Sequence, residues 1–379
     1  MKQKKTFNFK KLTRKMSNDE IKTEIQQLEQ VDYTPLYSKD VAYHNYGYIH
    51  TFRVISDGLR LSWIKQFFGG LLAGIWIGVA YTAVLYATYK MGNPSITKLL
   101  TGALFAGVIL LISFLGGGFV TAHMWYNRTM FRRVEKWSIF LKACMFVYLG
   151  NILGIAIFIG ILFLSGAFST NDALFVFAYK SFGLDKIYSV GTALVNGDAV
   201  TSVEVWKTIS WVFFSAILCN FLICLATQGA KSTKGNTVAS MIMYLVVLFF
   251  FAIGGYQHCV ANWYGAWILV IGALSPSDHR EITSQTALLF IALNILPAIL
   301  GNFVGALIIG TFMGFFNKDY DDLLIKEARL RFLNETLAVR ENPNFLNNQN
   351  NDDQYTPWYK RSSKKTKQKP LPSRKDIFN

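Results

Sequence analysis

Apolar residues in this chain are gathered into long stretches that contain no Asp, Glu, Lys or Arg. Each stretch is long enough to cross the hydrocarbon core of a membrane as a helix, which takes about 20 residues. The pattern predicts six transmembrane helices, within residues 66–89, 99–127, 143–171, 208–230, 235–277 and 282–317. The composition agrees, since 52% of the residues are hydrophobic and only 16% are charged, as is typical of a multispanning membrane protein.

Two of these stretches are interrupted by glycines. One contains Gly116-Gly117-Gly118 shortly before Thr121, and the other contains Gly254-Gly255 shortly before His258. A straight helix through 235–277 would be about 65 Å long, roughly twice the thickness of the hydrocarbon core. We therefore expect helices two and five to be broken, and paired broken helices indicate a transport site near the membrane midplane.

Helices three and six carry a short internal repeat. Leu149–Gly154 reads LGNILG, and Leu300–Gly305 reads LGNFVG. Three helices in each half is an odd number, so we expect an all-α membrane protein built from two inverted three-helix repeats that share one pore. The same glycine spacing is also typical of close helix packing, which is the simpler interpretation.

Charge predicts the orientation of the chain. Most of the 38 Lys and Arg residues lie in the terminal segments and in loops on the same side, which places both termini in the cytoplasm. We expect a cytoplasmic N-terminal segment (1–60), a transmembrane transport domain (61–317) and a partly disordered cytoplasmic tail (318–379), in the cell membrane. We therefore interpret the net charge of +15 as a signal for the orientation of the chain in the membrane and for contact with anionic lipids, rather than for nucleic-acid binding.

The apolar stretches contain few of the residue patterns that are typical of an enzyme active site. The four cysteines lie in or beside these stretches, and neither they nor the five histidines have metal-ligand spacing. No pair of acids and no nucleophile with a neighbouring base occurs there either. We expect no metal, no cofactor and no enzymatic activity; an integral membrane enzyme is the alternative, which an ordered metal or a covalent intermediate would revive.

His258 is the strongest candidate for a functional residue. An imidazole in the longest charge-free stretch is costly to bury without a partner, and it titrates close to neutrality, so it can lend a proton. Thr121 follows the break in helix two, Asn220 lies in an apolar run of helix four, and both are expected to face His258. The alternative is a hydrogen-bonded packing histidine. His123, near Arg128, is expected at the cytoplasmic interface.

Four motifs together resemble the formate/nitrite transporter family over about residues 50–317. They are Phe119-Val120-Thr121, VYLGN at 147–151, CNFLICLA at 219–226 and HCVAN at 258–262. The resemblance implies a homopentamer of aquaporin-like protomers. It also implies that His258 is the central pore histidine, with Thr121 in the loop of broken helix two and Asn220 nearby.

The resemblance further implies where the pore narrows. Apolar constrictions are expected at Phe105, Ile109, Phe119, Val120 and Phe251. Two positions depart from the family pattern. Gln257 stands where members often carry Glu, and Glu204 stands where many carry an outer-mouth lysine, so Lys207, one turn closer, is the candidate for attracting the anion.

These features predict a channel or transporter for a small monovalent anion that moves with a proton. Protonating a carboxylate of pKa near 4 at pH 7 costs about 4 kcal/mol. Moving a bare charge through an apolar constriction costs from about 3 to over 10 kcal/mol. A protonated route is therefore favoured, with formate or lactate as the first choice of substrate.

Other substrates and functions stay open at this point. Acetate, nitrite and hydrosulfide also suit such a pore, and a sensor or scaffold that has lost permeation is the non-transport alternative. The long outer loop, residues 167–206, either caps the pore mouth or is an insertion without a role in transport.

Overall fold

A computed structural model of the chain describes residues 15–38, 40–274 and 282–342. Every regular element in these residues is helical, and they contain no strand. The α-helices are α1 (Asn18–Glu29), α2 (Tyr43–Gly58), α3 (Trp63–Thr88), α4 (Pro94–Ala106), α5 (Val108–Leu115), α6 (Val120–Met124), α7 (Asn127–Phe131), α8 (Trp137–Leu164), α9 (Asp172–Ala178), α10 (Tyr188–Asn196), α11 (Ser202–Lys231), α12 (Thr237–Gly254), α13 (Trp263–Leu274), α14 (Ser284–Phe290), α15 (Leu296–Phe316) and α16 (Lys318–Glu341). Short 3₁₀ or π segments lie at Thr34–Tyr37, Tyr179–Gly183, Leu184–Ile187 and Ile291–Ile295.

Six helical segments of the described residues are long and apolar enough to cross a membrane. They are Trp63–Thr88, Pro94–Leu115, Trp137–Leu164, Ser202–Lys231, Thr237–Gly254 and Ser284–Phe316. Each of them overlaps one predicted apolar stretch, and the first four begin three to six residues before it. This confirms the prediction of an all-α membrane protein with six transmembrane helices.

The spans pack in two matching pairs, α3 with α8 and α11 with α15. A Cβ at Gly150 or Gly154 of α8 would overlap the backbone of α3, and a Cβ at Gly301 or Gly305 of α15 would overlap the backbone of α11. These are the glycines of the internal repeat, so their spacing serves close packing of helices. The inverted relation of the two halves stays a prediction.

Non-helical segments follow α5 and α12 at the glycine clusters. After α5 ends, Gly116 and Gly117 both have positive φ, 93° and 136°, and α6 begins only at Val120. Residues with a Cβ rarely adopt such angles, so glycine is required there. After α12, Gly255 takes a left-handed conformation and the chain passes through turns until α13 begins. These two segments bring Thr121 and His258 to the interior.

Much of the outer loop is helical and packed onto the spans. It contains α9, α10 and two short helical segments, and the π segment Tyr179–Gly183 lies against α13. A Cβ at Gly265 of α13 would overlap the Phe182 backbone. The outer loop is therefore held against the end of the membrane core.

The terminal helices α1, α2 and α16 pack together as a terminal domain, and buried side chains of α2 and α16 belong to the same hydrophobic core as the spans. Helix α1 packs along α16, and α2 packs against both α11 and α16. Apolar side chains shared by α1 and α16 form a separate core of Met16, Ile21, Ile25, Leu28, Leu330 and Leu333. The first part of the predicted tail is thus a packed helix, whereas residues 343–379, where disorder is predicted, lie outside the described residues. The cytoplasmic location of this domain stays a prediction.

Candidate functional site

His258 lies buried in the segment between α12 and α13, with both ring nitrogens hydrogen-bonded. The Ala261 backbone N–H donates to Nδ1 at 3.0 Å, and Nε2 lies 3.0 Å from Thr121 Oγ1. Because Nδ1 accepts, the proton of the neutral ring is on Nε2, which donates to the threonine hydroxyl. The structure therefore joins His258 and Thr121, the two residues that follow the glycine clusters.

Asn302 of α15 holds the backbone on both sides of His258. Its Nδ2 donates to the carbonyl of Gln257 at 3.2 Å, and its Oδ1 accepts from the backbone N–H of Cys259 at 2.9 Å. The same amide nitrogen donates to the Ala216 carbonyl of α11 at 2.8 Å. One side chain thus satisfies backbone groups of a non-helical segment that is buried in the membrane core.

Asn151 of α8 holds Phe119 in the same manner. Its Nδ2 donates to the Gly118 carbonyl at 2.9 Å, and its Oδ1 accepts from the Val120 N–H at 3.3 Å. It also donates to the Gly70 carbonyl of α3 at 2.8 Å. Asn151 and its counterpart in α15 occupy the same place in the internal repeat.

The two asparagines make Phe119 and His258 structural counterparts. The rings of these residues meet edge to face, with centroids 5.7 Å apart. Asn151 and Asn302 were not predicted as site residues. Their repeated sequence context, LGN at 149–151 and at 300–302, is the signal that could have identified them.

Asn220 of α11 joins α6 and α15 through its side-chain nitrogen, and among the described residues its side chain makes no hydrogen bond to the imidazole. Its Nδ2 donates to the Asn302 carbonyl at 2.8 Å and to the Thr121 carbonyl at 3.2 Å. The side chain is fully buried. Asn220 was expected to face His258, and the structure instead gives it the role of fixing the backbone that carries Thr121.

His258 and most of the predicted constriction residues line one cavity of about 20 Å³. The lining includes Phe105, Ile109, Phe119, Phe251 and His258, together with Ile77, Val108, Ile223, Ala226, Thr227 and Leu248. Val120 is buried but does not line it. The imidazole therefore shares a small cavity with mainly apolar side chains.

An aromatic chain continues from this cavity to the outer loop. Phe251 lies 6.0 Å from the His258 ring and 5.9 Å from Phe105, measured between ring centroids. Tyr81 then contacts Phe105 at 4.7 Å and Phe182 of the outer loop at 5.0 Å. Phe182 therefore places the outer loop against the aromatic side chains that continue from the cavity.

Comparison with known proteins assigns the chain to a family. The family model described as Formate/nitrite transporter matches residues 50–316. The chain belongs to this family. It is a multi-pass membrane protein and a formate/nitrite transporter family channel.

Several curated relatives cover most of this chain. Formate channel FocA of Haemophilus influenzae is 25% identical over 79% of this chain and 99% of its own length. Formate channel FocB of Escherichia coli is 23% identical, over 68% of this chain and 88% of its own. Nitrite transporter NirC of Salmonella typhimurium is 27% identical, over 64% of this chain and 78% of its own.

A solved structure has the same fold. The protein described as a pentameric formate channel with formate bound superposes with a TM-score of 0.52 at 21% identity. The match covers 67% of this chain and 95% of the other. The named relatives and this structure are all channels or transporters.

Gln257, where members of the family often carry Glu, belongs to a buried amide cluster. Its Oε1 accepts from the side-chain amides of Asn262 at 2.8 Å and Asn294 at 3.0 Å. Asn294 also donates to the backbone carbonyl of Lys186 at 2.7 Å. Gln257 therefore connects the outer loop to the segment that carries His258, and it does not line the cavity.

The outer mouth differs from the expected charge pattern. Glu204 accepts from the Thr201 N–H at 2.7 Å and so caps the start of α11, while Lys207 is exposed. Lys186 is half-buried, and the next residue, Ile187, accepts a hydrogen bond from Thr208 of α11 at 2.9 Å. Burial lowers the pKa of Lys186, and the adjacent Asp185 opposes this shift. Sequence reasoning missed Lys186 because only the folded outer loop brings it near α11.

The described part of the chain contains no candidate metal-binding site. No group of three or more His, Cys, Asp or Glu side chains lies close enough there to hold a metal ion. The four cysteines, Cys144, Cys219, Cys224 and Cys259, are free thiols.

Proposed function

We propose that the protein conducts a small monocarboxylate, formate or lactate, together with a proton through a pore in each protomer. The observation that carries this proposal is the His258–Thr121 hydrogen bond beside an apolar cavity. The cavity supplies a water-poor constriction, and the pair supplies hydrogen-bonding groups for a small acid. Relatives named formate channels and nitrite transporters support the same class of substrate.

The substrate crosses the constriction as its neutral acid. An ion loses its hydration among Phe105, Phe119 and Phe251, whereas a neutral acid avoids most of that penalty. Protonation of a carboxylate costs about 4 kcal/mol at pH 7, which is within the range estimated for moving the bare charge.

His258 acts in this scheme as a neutral hydrogen-bond donor. Its Nε2–H, which donates to Thr121 in the absence of substrate, turns to an oxygen of the passing acid. A second proton on the ring would have to go to Nδ1, where it would displace the Ala261 N–H. Proton loading of the substrate therefore takes place outside the constriction.

The anion is attracted to the outer mouth by lysine. Lys186 lies beneath the outer loop near α11, and Lys207 adds charge at the surface. Positive potential at a pore mouth raises the local concentration of an anionic substrate.

Assembly and orientation complete the proposal. The protein forms a homopentamer in the cell membrane, with membrane lipids around it and both termini in the cytoplasm. The pentameric formate channel of the same fold supports this assembly. Each protomer keeps its own pore, because Thr121 and His258 belong to one chain.

Uptake of labelled formate and labelled lactate into proteoliposomes tests the proposal, at outside pH of about 5.5 and about 7.5. We expect saturable uptake that rises at acidic outside pH and is abolished in His258→Ala. His44→Ala, at an exposed histidine of α2, is the matched control and should behave as wild type. Absence of uptake by the folded wild type would overturn the proposal and favour a sensor or scaffold.

Nitrite is the second candidate substrate, because a relative named nitrite transporter is 27% identical. Competition in the same assay separates the two. Strong inhibition of labelled formate uptake by nitrite, with direct nitrite uptake, would move nitrite to first place.

A further inference from the structure

A second histidine, His123 of α6, is bonded to the residue that contacts His258. His123 Nδ1 lies 3.1 Å from the Phe119 carbonyl oxygen, while the Phe119 ring meets the His258 ring edge to face. One residue of the constriction thus connects two imidazoles. The mechanism proposed above uses only one of them.

The hydrogen bond of His123 fixes its tautomer. A carbonyl oxygen can only accept, so Nδ1 carries the proton and the Nε2 lone pair is free in the neutral ring. Within the described residues Nε2 has no hydrogen-bond partner, and the ring is partly exposed. A Cβ at Gly58 would lie 3.6 Å from Nε2 and a Cβ at Gly118 3.8 Å from Cε1, so this edge faces two positions without side chains.

The two imidazoles differ in what protonation does to them. A proton added to His123 goes to Nε2 and leaves the bond to Phe119 intact. Burial lowers the pKa of His123, and the bond to the Phe119 carbonyl opposes this shift because it favours the charged ring. A proton added to His258 goes to Nδ1 and breaks the bond from Ala261. Of the two, His123 is the one that accepts a proton without losing a hydrogen bond.

Charged residues on the surrounding elements are engaged elsewhere or exposed. Helix α6 packs against α2, α8, α11 and α15. The charged residues of these helices are Arg53 and Asp57 on α2, Lys142 on α8, and Glu204, Lys207 and Lys231 on α11, with none on α15. Arg53 pairs with Glu327, and Asp57 pairs with Arg331. None of these residues bonds to His123 in the described part of the chain.

We propose that His123 is the proton-exchange residue on the α2 side of the Phe119 constriction. The inference rests on the proposed function. As the neutral acid leaves the constriction, its O–H bond breaks and an Nε2–H bond forms, which gives the anion and the His123 imidazolium. The imidazolium then releases that proton to water, and the steps reverse for transport in the other direction.

The pH dependence of transport tests this role. Initial rates of formate transport are measured while the pH on the side of the termini varies from about 5 to about 8 and the other side is fixed. Wild type and the exposed control His44→Gln should respond at pH values below those of an ordinary histidine, because burial lowers the pKa of His123. His123→Gln should lose this response and transport at least tenfold more slowly at its optimum, with KM for formate unchanged. An unchanged pH profile in a folded His123→Gln protein overturns the inference.

The outcomes separate this inference from the proposed function. If folded wild-type protein carries neither formate nor lactate at any pH, the proposed function is wrong and the inference falls with it. Transport with an unaltered profile in His123→Gln overturns the inference alone.

If the His123→Gln variant does not fold, a second measurement on the wild-type protein tests the inference. Wild-type protein labelled with ¹⁵N-histidine, in lipid nanodiscs, is titrated by NMR. We expect one histidine whose Nδ1 stays protonated while Nε2 titrates, and another whose Nδ1 stays unprotonated throughout. If no histidine keeps Nδ1 protonated while Nε2 titrates, the inference is wrong.

Discussion

Single side chains fix the geometry around His258 and Phe119 by satisfying backbone groups of the non-helical segments. Asn151 and Asn302 each bond the carbonyl before and the N–H after one pore residue. A buried polar backbone group without a partner costs about 1–3 kcal/mol, so each amide prevents a penalty on two groups at once. The positions of Phe119 and His258 follow from these bonds.

Replacing Thr121 by Val tests the partner of His258 with little change in volume. Valine removes the oxygen that accepts the Nε2–H, so the imidazole loses its orienting bond. We expect formate uptake to fall about tenfold, which corresponds to about 1.4 kcal/mol. Thr121→Ser keeps the hydroxyl and should retain most of the activity. Equal uptake by the Val and Ser variants would contradict the role of this bond.

At the scale of helices, the glycines of the internal repeat set the distance between the members of each pair. Gly150 and Gly154 bring α8 against the α3 backbone, and Gly301 and Gly305 do the same for α15 and α11. Helix association in membranes depends on such close packing, because lipid tails provide no hydrophobic driving force between helices.

Gly154→Ala should destabilise the fold, because its Cβ would overlap the Leu71 carbonyl of α3. The expected loss is about 1–3 kcal/mol, as for overpacking of other well-packed interiors. Gly160→Ala is the matched control on the same helix, since no atom lies within 4 Å of the added Cβ. Thermal unfolding in detergent measures both variants, and equal midpoints would show that α3 and α8 do not need this contact.

Lys186 in the outer loop leads to a prediction about the pH dependence of KM for formate. Burial lowers the pKa of this lysine, so its charge is lost as pH rises at a lower value than for an exposed lysine. We expect KM for formate to rise with outside pH, and we expect Lys186→Met to raise KM at neutral pH and remove that dependence. Lys207→Met, at the exposed lysine, should change KM less. The reverse order would return the anion-attracting role to Lys207.

At the scale of the whole molecule, buried ion pairs tie the terminal segments to the membrane core. Arg331 of α16 pairs with Asp57 at 2.9 Å and with Glu135, which precedes α8, at 3.5 Å. Arg128, which lies in α7 shortly after Thr121, pairs with Asp321. The terminal domain is therefore built onto the chain segment that leads out of the pore.

Removing one partner of the buried network should destabilise the protein strongly. Arg331→Met removes a buried guanidinium from Glu135, which is buried and keeps Arg60 as a partner, and from the partly exposed Asp57. Removing one member of a buried pair typically costs about 3–5 kcal/mol, and we expect a loss at the lower end because Arg60 remains. Lys22→Met is the control, because the Lys22–Glu341 pair has side chains 52% and 54% exposed, and exposed pairs contribute about 0–1 kcal/mol. Similar unfolding midpoints for the two variants would contradict a structural role for Arg331.

The sequence alone determined the six spans and the two glycine interruptions, and it singled out Thr121 and His258, which the structure joins by a hydrogen bond. Their role in transport stays a prediction. In the hydrocarbon core each spanning segment must satisfy its own backbone hydrogen bonds, which a helix does without help from other segments. The apolar composition and the glycine positions are therefore sufficient for the first two predictions. Four of the five predicted constriction residues line the cavity, and Val120 does not. The inverted repeats, the pentamer and the orientation stay predictions.

Only the tertiary structure decided which groups bond to which. The asparagine bonds around Phe119 and His258, the amide cluster of Gln257 and the position of Lys186 each join residues that are distant along the chain. Hydrogen bonds need donor and acceptor within about 3 Å and in suitable directions, and sequence spacing does not fix such distances between separate helices. For the same reason, the protonated nitrogen of each imidazole follows from the folded chain and not from the sequence.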